Sequence, residues 1–172
     1  LLAIIIYAGI VYATGEKYVP FQEAKLGMLY SGEARKAGFH NGDIPLMADG
    51  ETLNVAEDAR MKMIQAKTVS VLRGNDTVDI RIPDKFIFRL EEEAKSDTAA
   101  VNFMTYRIPT RVIQVVPGEG ASKAGIEPGD EIIAIDSVPT PSLDIFHQVL
   151  KGHENQTVDF TVCLLYTSDA AD

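Results

Sequence analysis

The chain of 172 residues contains a single cysteine, Cys163, and no tryptophan. One thiol excludes a disulfide scaffold and any cysteine-based zinc site. Histidine is scarce too: His40, His147 and His153 are the only three, and no two stand at the i, i+4 spacing that puts two imidazoles on one helical face in HExxH. Surface positions suit all three. There is no GxSxG elbow and no phosphate-cradling glycine loop, and spacing singles out no Ser, His and Asp set. The stretch is therefore expected to carry no catalytic residue, no cofactor site and no metal site of its own. Positive charge is in deficit, with 16 Lys and Arg against 25 Asp and Glu, a formal net charge of −9. Nucleic acid affinity rests on Lys and Arg contacts to phosphate, so a nucleic acid partner is excluded. The acidic excess is dispersed apart from "LEEE" at 90–93, which reads as a solvated face.

Charge is absent altogether from residues 1–13, "LLAIIIYAGIVYA". As a helix, 13 residues span about 20 Å, against a hydrocarbon core of roughly 30 Å. The run reads as the last part of a truncated transmembrane helix leaving the lipid bilayer at Tyr7, Tyr12 and Lys17, because aromatic and basic side chains favour the interface. Residues 14–25 are polar with Gly and Pro, and read as a linker. At the other end, "TVDFTV" alternates like a strand, whereas residues 163–172, "CLLYTSDAAD", neither alternate nor close a hairpin and read as a non-native tail.

What the sequence does have is a repeat. "KAGFHNGD" at 36–43 and "KAGIEPGD" at 123–130 lie 87 residues apart, and the same offset pairs Ala34 with Ala121 and Asp49 with Asp136. That spacing exceeds the roughly 20–50 residues of solenoid repeats, so each copy is expected to be a small domain. Gly38 and Gly125 suit the left-handed position that ends a short helix, since no Cβ clashes there. Gly42 and Gly129 precede Asp43 and Asp130, whose carboxylates can bond nearby backbone N–H groups and fix the turn into the next strand. All six are read as structural turn residues, because no nucleophile, base or metal ligand recurs beside them.

Between these turns the patterning is coarse but readable. A short strand is expected at about 26–30 and another at "IPLMAD" (44–49), where Pro45 favours an edge or a bulge. Residues 54–66 place Ala56, Ala59, Met63 and Ile64 on one helical face with Asn54 as cap. "TVSVLRGNDTVDIRI" reads as a hairpin closing the first domain near residue 83. Residues 84–105 read as a connector packed by its aromatics. In the second copy "RVIQVV" (111–116) is expected to be a strand, Thr140 a helix cap with Pro141 at the first helical position, and Leu143, Phe146 and Leu150 one helical face.

A strand, the short "ASKAGI" helix, "EPGD", then "EIIAIDS" and a later helix resemble a bacterial PDZ domain, and "EARKAGF", "HNGD" and "IPLMADG" repeat the scheme. The fold class expected is α+β, with two tandem PDZ-like domains, each a small partly open β-barrel with flanking helices, after a truncated transmembrane helix. The expected bounds are 26–83 for the first, 84–105 for the connector and 106–162 for the second. PDZ folds bind an extended peptide by adding it to a sheet edge beside a helix. The resemblance therefore implies peptide-groove candidates: Arg107, Val112, Ile113, Gln114 and Val115 along the edge, with Leu143, Phe146 and Leu150 on the facing helix. Which alternate set meets the peptide stays open, as does whether the helical residues line a groove or fill the core. "TYRIP" (105–109) matches the position that receives a terminal carboxylate, but it lacks a glycine and Pro109 has no N–H, which leaves Arg107 to attract one electrostatically.

Tandem copies after an apolar stretch most resemble the site-2 intramembrane zinc protease family, of the RseP type that regulates sigma-E. That resemblance implies a bacterial inner-membrane protein with both domains on the periplasmic side, filtering membrane-protein substrates such as an anti-sigma factor. Zinc would belong to the parent enzyme, its HExxH helix upstream and an LDG-type aspartate downstream of this stretch. Two other readings give different flanks: an HtrA-like periplasmic serine protease, or a membrane-tethered peptide-binding adaptor without enzyme.

Overall fold

The computed structural model describes residues 19–96, 103–153 and 156–163. The apolar run 1–13 and most of the expected tail lie outside the described residues. Among those described, no helix is long and apolar enough to cross a membrane.

The first unit opens on a single 3-10 turn, Phe21–Glu23. Strands β1 (Met28–Tyr30), β2 (Ile44–Ala48), β3 (Glu51–Thr52), β4 (Thr68–Arg73) and β5 (Asp76–Arg81) follow, with helix α1 (Gly32–Lys36) after β1 and α2 (Ala56–Gln65) after β3. The sheet runs β3-β2-β4-β5, all antiparallel. Helix α3 (Phe86–Ser96) leads to β6 (Met104–Tyr106), which pairs with β1. The second unit has β7 (Thr110–Arg111), α4 (Gly120–Lys123), β8 (Glu131–Ile135), β9 (Val138–Pro139), α5 (Leu143–Lys151) and β10 (Phe160–Cys163), with sheet order β10-β8-β7 and β9 on β8. From α1 to α2 and from α4 to α5 the elements follow in the same order.

The turns explain the repeat. Gly38 and Gly125 take φ of +114° and +79°, and Gly42 and Gly129 take +98° and +102°. Asp43 Oδ2 accepts from His40 N at 2.8 Å and Asp130 Oδ2 from Glu127 N at 2.9 Å. Asp49 and Asp136 repeat a second device. Each sits at positive φ, 48° and 46°, and its carboxylate accepts from the backbone that enters the strand after the long helix: Lys67 and Thr68 N–H on Asp49, and Asp159 N–H on Asp136. The two N–H donors hold the Asp49 carboxyl below the usual carboxylate range.

Several sequence expectations need correction. Phe21, placed in the linker, is buried; its N–H donates to Asn54 O at 2.8 Å and its ring meets Tyr106 at 6.2 Å. Asn54 is thus not the cap of α2. Val55 takes the N-cap position without a side-chain bond. Pro45 does produce a bulge, between Pro45 and Met47, but β2 is an inner strand between β3 and β4. The segment read as a connector packed by its aromatics, 84–105, contains helix α3, in which Phe86 and Leu90 recur at i, i+4 and bury one face against α1 and α2. Glu93, read as solvated, accepts from Glu33 N at 3.1 and 3.2 Å and so supplies a cap to α1 from a different helix. Glu93→Ala should therefore cost the first unit about 1 kcal/mol in urea unfolding, the size of a lost cap. In the second unit Thr140 is buried, its hydroxyl has no hydrogen-bond partner among the described residues, and α5 begins at Leu143 after Ser142, two residues later than expected. Cys163, assigned to the tail, closes β10 opposite Glu131.

The two units differ in how well they are packed. The buried cluster lies wholly in the first, built from Phe21, Met28, Tyr30, Phe39, Met63 and Phe86 together with Phe103 and Met104 of the incoming strand. In the second, among the described residues, only Ile126, Ile132 and Ile135 are buried apolar residues.

Candidate functional site

The candidate edge is built around one pair of hydrogen bonds that both units share. In the first, Met28 N donates to Asp43 O at 3.1 Å and Gly42 N donates to Met28 O at 2.8 Å. In the second, Val112 N donates to Asp130 O at 2.8 Å and Gly129 N donates to Val112 O at 2.7 Å. Val112 thus stands where Met28 stands. Counting from that pair makes Arg111, Ile113 and Val115 the positional counterparts of Gly27, Leu29 and Ser31, although Arg111 N already donates to Pro109 O at 3.1 Å.

In the first unit that opposite edge is filled. Strand β6 runs antiparallel to β1 with Leu29 opposite Thr105. Ser31 N donates to Phe103 O at 2.9 Å and Arg107 N to Gly27 O at 3.1 Å. Phe103 meets Tyr30, Phe39 and Phe86 edge-on with centroids 6.1, 5.7 and 5.7 Å away, and Arg60 of α2 donates to Met104 O at 3.3 Å. In the second unit no strand among the described residues pairs with the edge beside residues 111–115, and β7 is the last strand of its sheet. Only Thr110 and Arg111 pair as a strand; residues 112–116, expected to extend it, do not. The physical reason is the missing neighbour: a strand with one ladder and an uncovered face has little to hold it extended. Ile113 is 90% exposed and Val116 60%. Val112 and Val115 are half-buried and Gln114 is exposed.

The facing helix α5 presents Leu143, Phe146 and Leu150, all half-buried. Phe146 stacks on Phe160 of β10 at 6.1 Å, so at least this ring is engaged with the sheet.

Arg107 is the side chain left to attract a terminal carboxylate electrostatically. It is already engaged. Its Nε and Nη2 donate to Asp144 Oδ1 and Oδ2 at 3.1 and 3.0 Å, Nη2 also donates to Ser142 Oγ at 2.7 Å, and Nη1 reaches Leu26 O at 3.4 Å. Only 10% of the Arg107 side chain and 21% of that of Asp144 is exposed. Leu143 N donates to Ile108 O at 2.9 Å beside this pair. The start of α5 is thereby tied to residues 107–108, whose main chain continues into the first unit. No sequence signal reveals it, since Arg107 and Asp144 are 37 residues apart.

Burial works to raise the Asp144 pKa, but hydrogen bonds from Arg107 and Ser142 outweigh it and hold the carboxyl below its ordinary value. A folded pKa below the unfolded one means the stabilisation is complete above about pH 4 and is lost as pH falls through the folded value. Asp144→Asn should cost about 1–2 kcal/mol at pH 7, as for a charge-assisted hydrogen bond at a partly exposed site. The gap to the unsubstituted chain should close below about pH 4 in urea unfolding followed against pH. A gap that persists unchanged would show that the substituted amide disturbs packing instead.

Among the described residues, no group of three His, Cys, Asp or Glu side chains is placed to hold a metal ion. Residues 111–164, from the end of β7 through β10, match the PDZ domain family. A PDZ domain is therefore detected in the second unit. No curated protein matches the chain.

Proposed function

We propose that the chain is a pair of PDZ units that hold extended segments of membrane-protein substrates for an intramembrane zinc metallopeptidase, on the periplasmic side of a bacterial inner membrane. PDZ domains bind peptides and proteins, and the match at 111–164 carries that part of the reading. The observation that extends it to the first unit is the reproduced bond pair, Met28 with Asp43 and Gly42 against Val112 with Asp130 and Gly129. Two units of one design, following the uncharged run at 1–13, suit a filter that admits substrates by what they can thread along an edge. In this reading zinc and hydrolysis belong to the catalytic part of the parent enzyme, and these units hold the substrate.

Sequencing the source locus through both ends tests the reading. An HExxH motif in an upstream apolar helix and a downstream LDG helix are the expected result. A soluble serine protease domain upstream would replace it with an HtrA-like assignment, and the absence of both would leave a tethered peptide-binding adaptor.

A further inference from the structure

Strand β6 is anchored at one end in the second unit and paired along its length with the first. Arg107 on Asp144 and Ser142, and Ile108 O receiving Leu143 N, hold the anchored end. The first-unit edge takes the strand in a register that sets residue 107 against 27, 105 against 29 and 103 against 31. Replacing 27, 29 and 31 by their counterparts in the second unit gives 107 against 111, 105 against 113 and 103 against 115. Those are the pairs that form if the chain folds back on itself through the three residues 108–110. Three-residue loops are common hairpin connections. The two edges thus compete for one strand in one register.

We propose that β6 is an exchangeable plug: it leaves β1 and closes as a hairpin on residues 111–115, and the vacated first-unit edge then accepts an extended segment of another protein with an aromatic residue followed by an apolar one. The vacated site has the chemistry of its present occupant. Tyr30, Phe39 and Phe86 surround Phe103, and Met104 is fully buried beside them, so an incoming segment must supply a ring and a flexible apolar side chain in sequence. The exchanged state covers the second-unit edge at Ile113, which is 90% exposed as long as β6 stays on β1. Phe103 enters the strand at a φ of +69°, a conformation uncommon for a bulky residue, and release from β1 removes that constraint. In the chain alone the buried pair keeps the plug in the first unit, and the hairpin is a minor state, on the order of 1%. The inference does not rest on the protease reading, since it concerns only which edge the strand occupies.

Crosslinking in the full chain separates the two states. In a Cys163→Ser background, Thr105→Cys is combined with Leu29→Cys, with Ile113→Cys, or with the exposed Ile133→Cys as reference, and each is equilibrated in glutathione redox buffer. The probe is a synthetic peptide of residues 101–108, VNFMTYRI. Without it, the 105–29 bridge should dominate; with it, the 105–113 bridge should rise at least ~10-fold while 105–133 stays low. A 105–113 yield no higher than 105–133 at every peptide concentration overturns the proposal. In the unsubstituted chain, hydrogen exchange should slow at the Ile113 and Val115 amides on adding the peptide. That protection must vanish once the 105–29 bridge is closed, because the plug then cannot leave. If the bridged protein still binds the peptide and protects those amides, the peptide adds directly to the second-unit edge and no exchange occurs.

Discussion

Asp43→Ala should destabilise the first unit by about 3 kcal/mol or more, the cost of removing one partner of a buried, hydrogen-bonded ion pair. Asp43 is 1% exposed. Arg73 of β4 grips it from both sides, with Nε on Oδ1 at 2.8 Å and Nη2 on Oδ2 at 2.7 Å, and Nη2 also donates to Gly38 O at 2.8 Å. The carboxylate further accepts from His40 N, so one side chain joins the turn after α1, the start of β2 and the end of β4. Its removal leaves the His40 N–H and a guanidinium without their acceptor. The Arg73 side chain is 29% exposed and can recover some hydration, which places the expected loss at the lower end of the range for buried pairs. For a unit of this size the melting temperature should fall by roughly 12–24 °C. Asp130→Ala is the internal control. Asp130 keeps the equivalent bond, from Glu127 N, but no cation pairs with it among the described residues, so about 1 kcal/mol is expected there. Equal losses at the two positions would show that the Arg73 pair adds nothing beyond the turn.

That asymmetry bears on what could be read from the sequence. Gly38, Gly42 and Asp43, with Gly125, Gly129 and Asp130, were legible because a left-handed turn and an Asp-bonded loop admit few residue types, and those types must recur at fixed spacing. The chain therefore advertises its turns twice, and the helices and strands around them follow. Arg73 carried no such mark, since an arginine at the end of a strand is usually solvated, and its partner lies 30 residues away. The same limit applied to α3. Phe86 and Leu90 do have helical spacing, yet the run of aromatics left the connector without an assigned secondary structure, and contact with α1 and α2 is what makes it a helix.

The groove candidates failed to form a continuous strand for a different reason. "RVIQVV" has the composition of a strand, but β propensity expresses fit to a half-buried surface, and here the neighbouring strand that would bury it pairs with the first unit. Nothing in "FMTYRI" indicates whether it joins residues 27–31 or 111–115. A repeated turn places a candidate edge beside each copy, and the local sequence of the joining strand does not choose between them. The aromatic cluster can: Tyr30 and Phe39 stack at 4.8 Å in the first unit, where the second has Gln114 and Ile126.

Phe103→Ala measures that preference directly. Phe103 is fully buried and its ring touches Tyr30, Phe39 and Phe86 together. Removing it opens a cavity among rigid rings that cannot easily collapse, for an expected loss of about 3–5 kcal/mol. Although residue 103 lies beyond the first sheet in sequence and close to the second, the loss should fall on the first unit. Urea unfolding read through hydrogen exchange assigns it: amides of β2 and β4 should lose protection, while those of β8 keep theirs. Phe103→Gly serves as a second variant. It removes the same ring but relieves the positive φ of 69°, so it should be less damaging than alanine by about 1 kcal/mol, the reverse of the usual order for these two residues. If alanine and glycine instead rank in the usual order, the left-handed backbone at 103 is not what the folded chain holds in solution. If the loss appears at β8, the strand belongs to the second unit at rest, and the plug sits in the other edge.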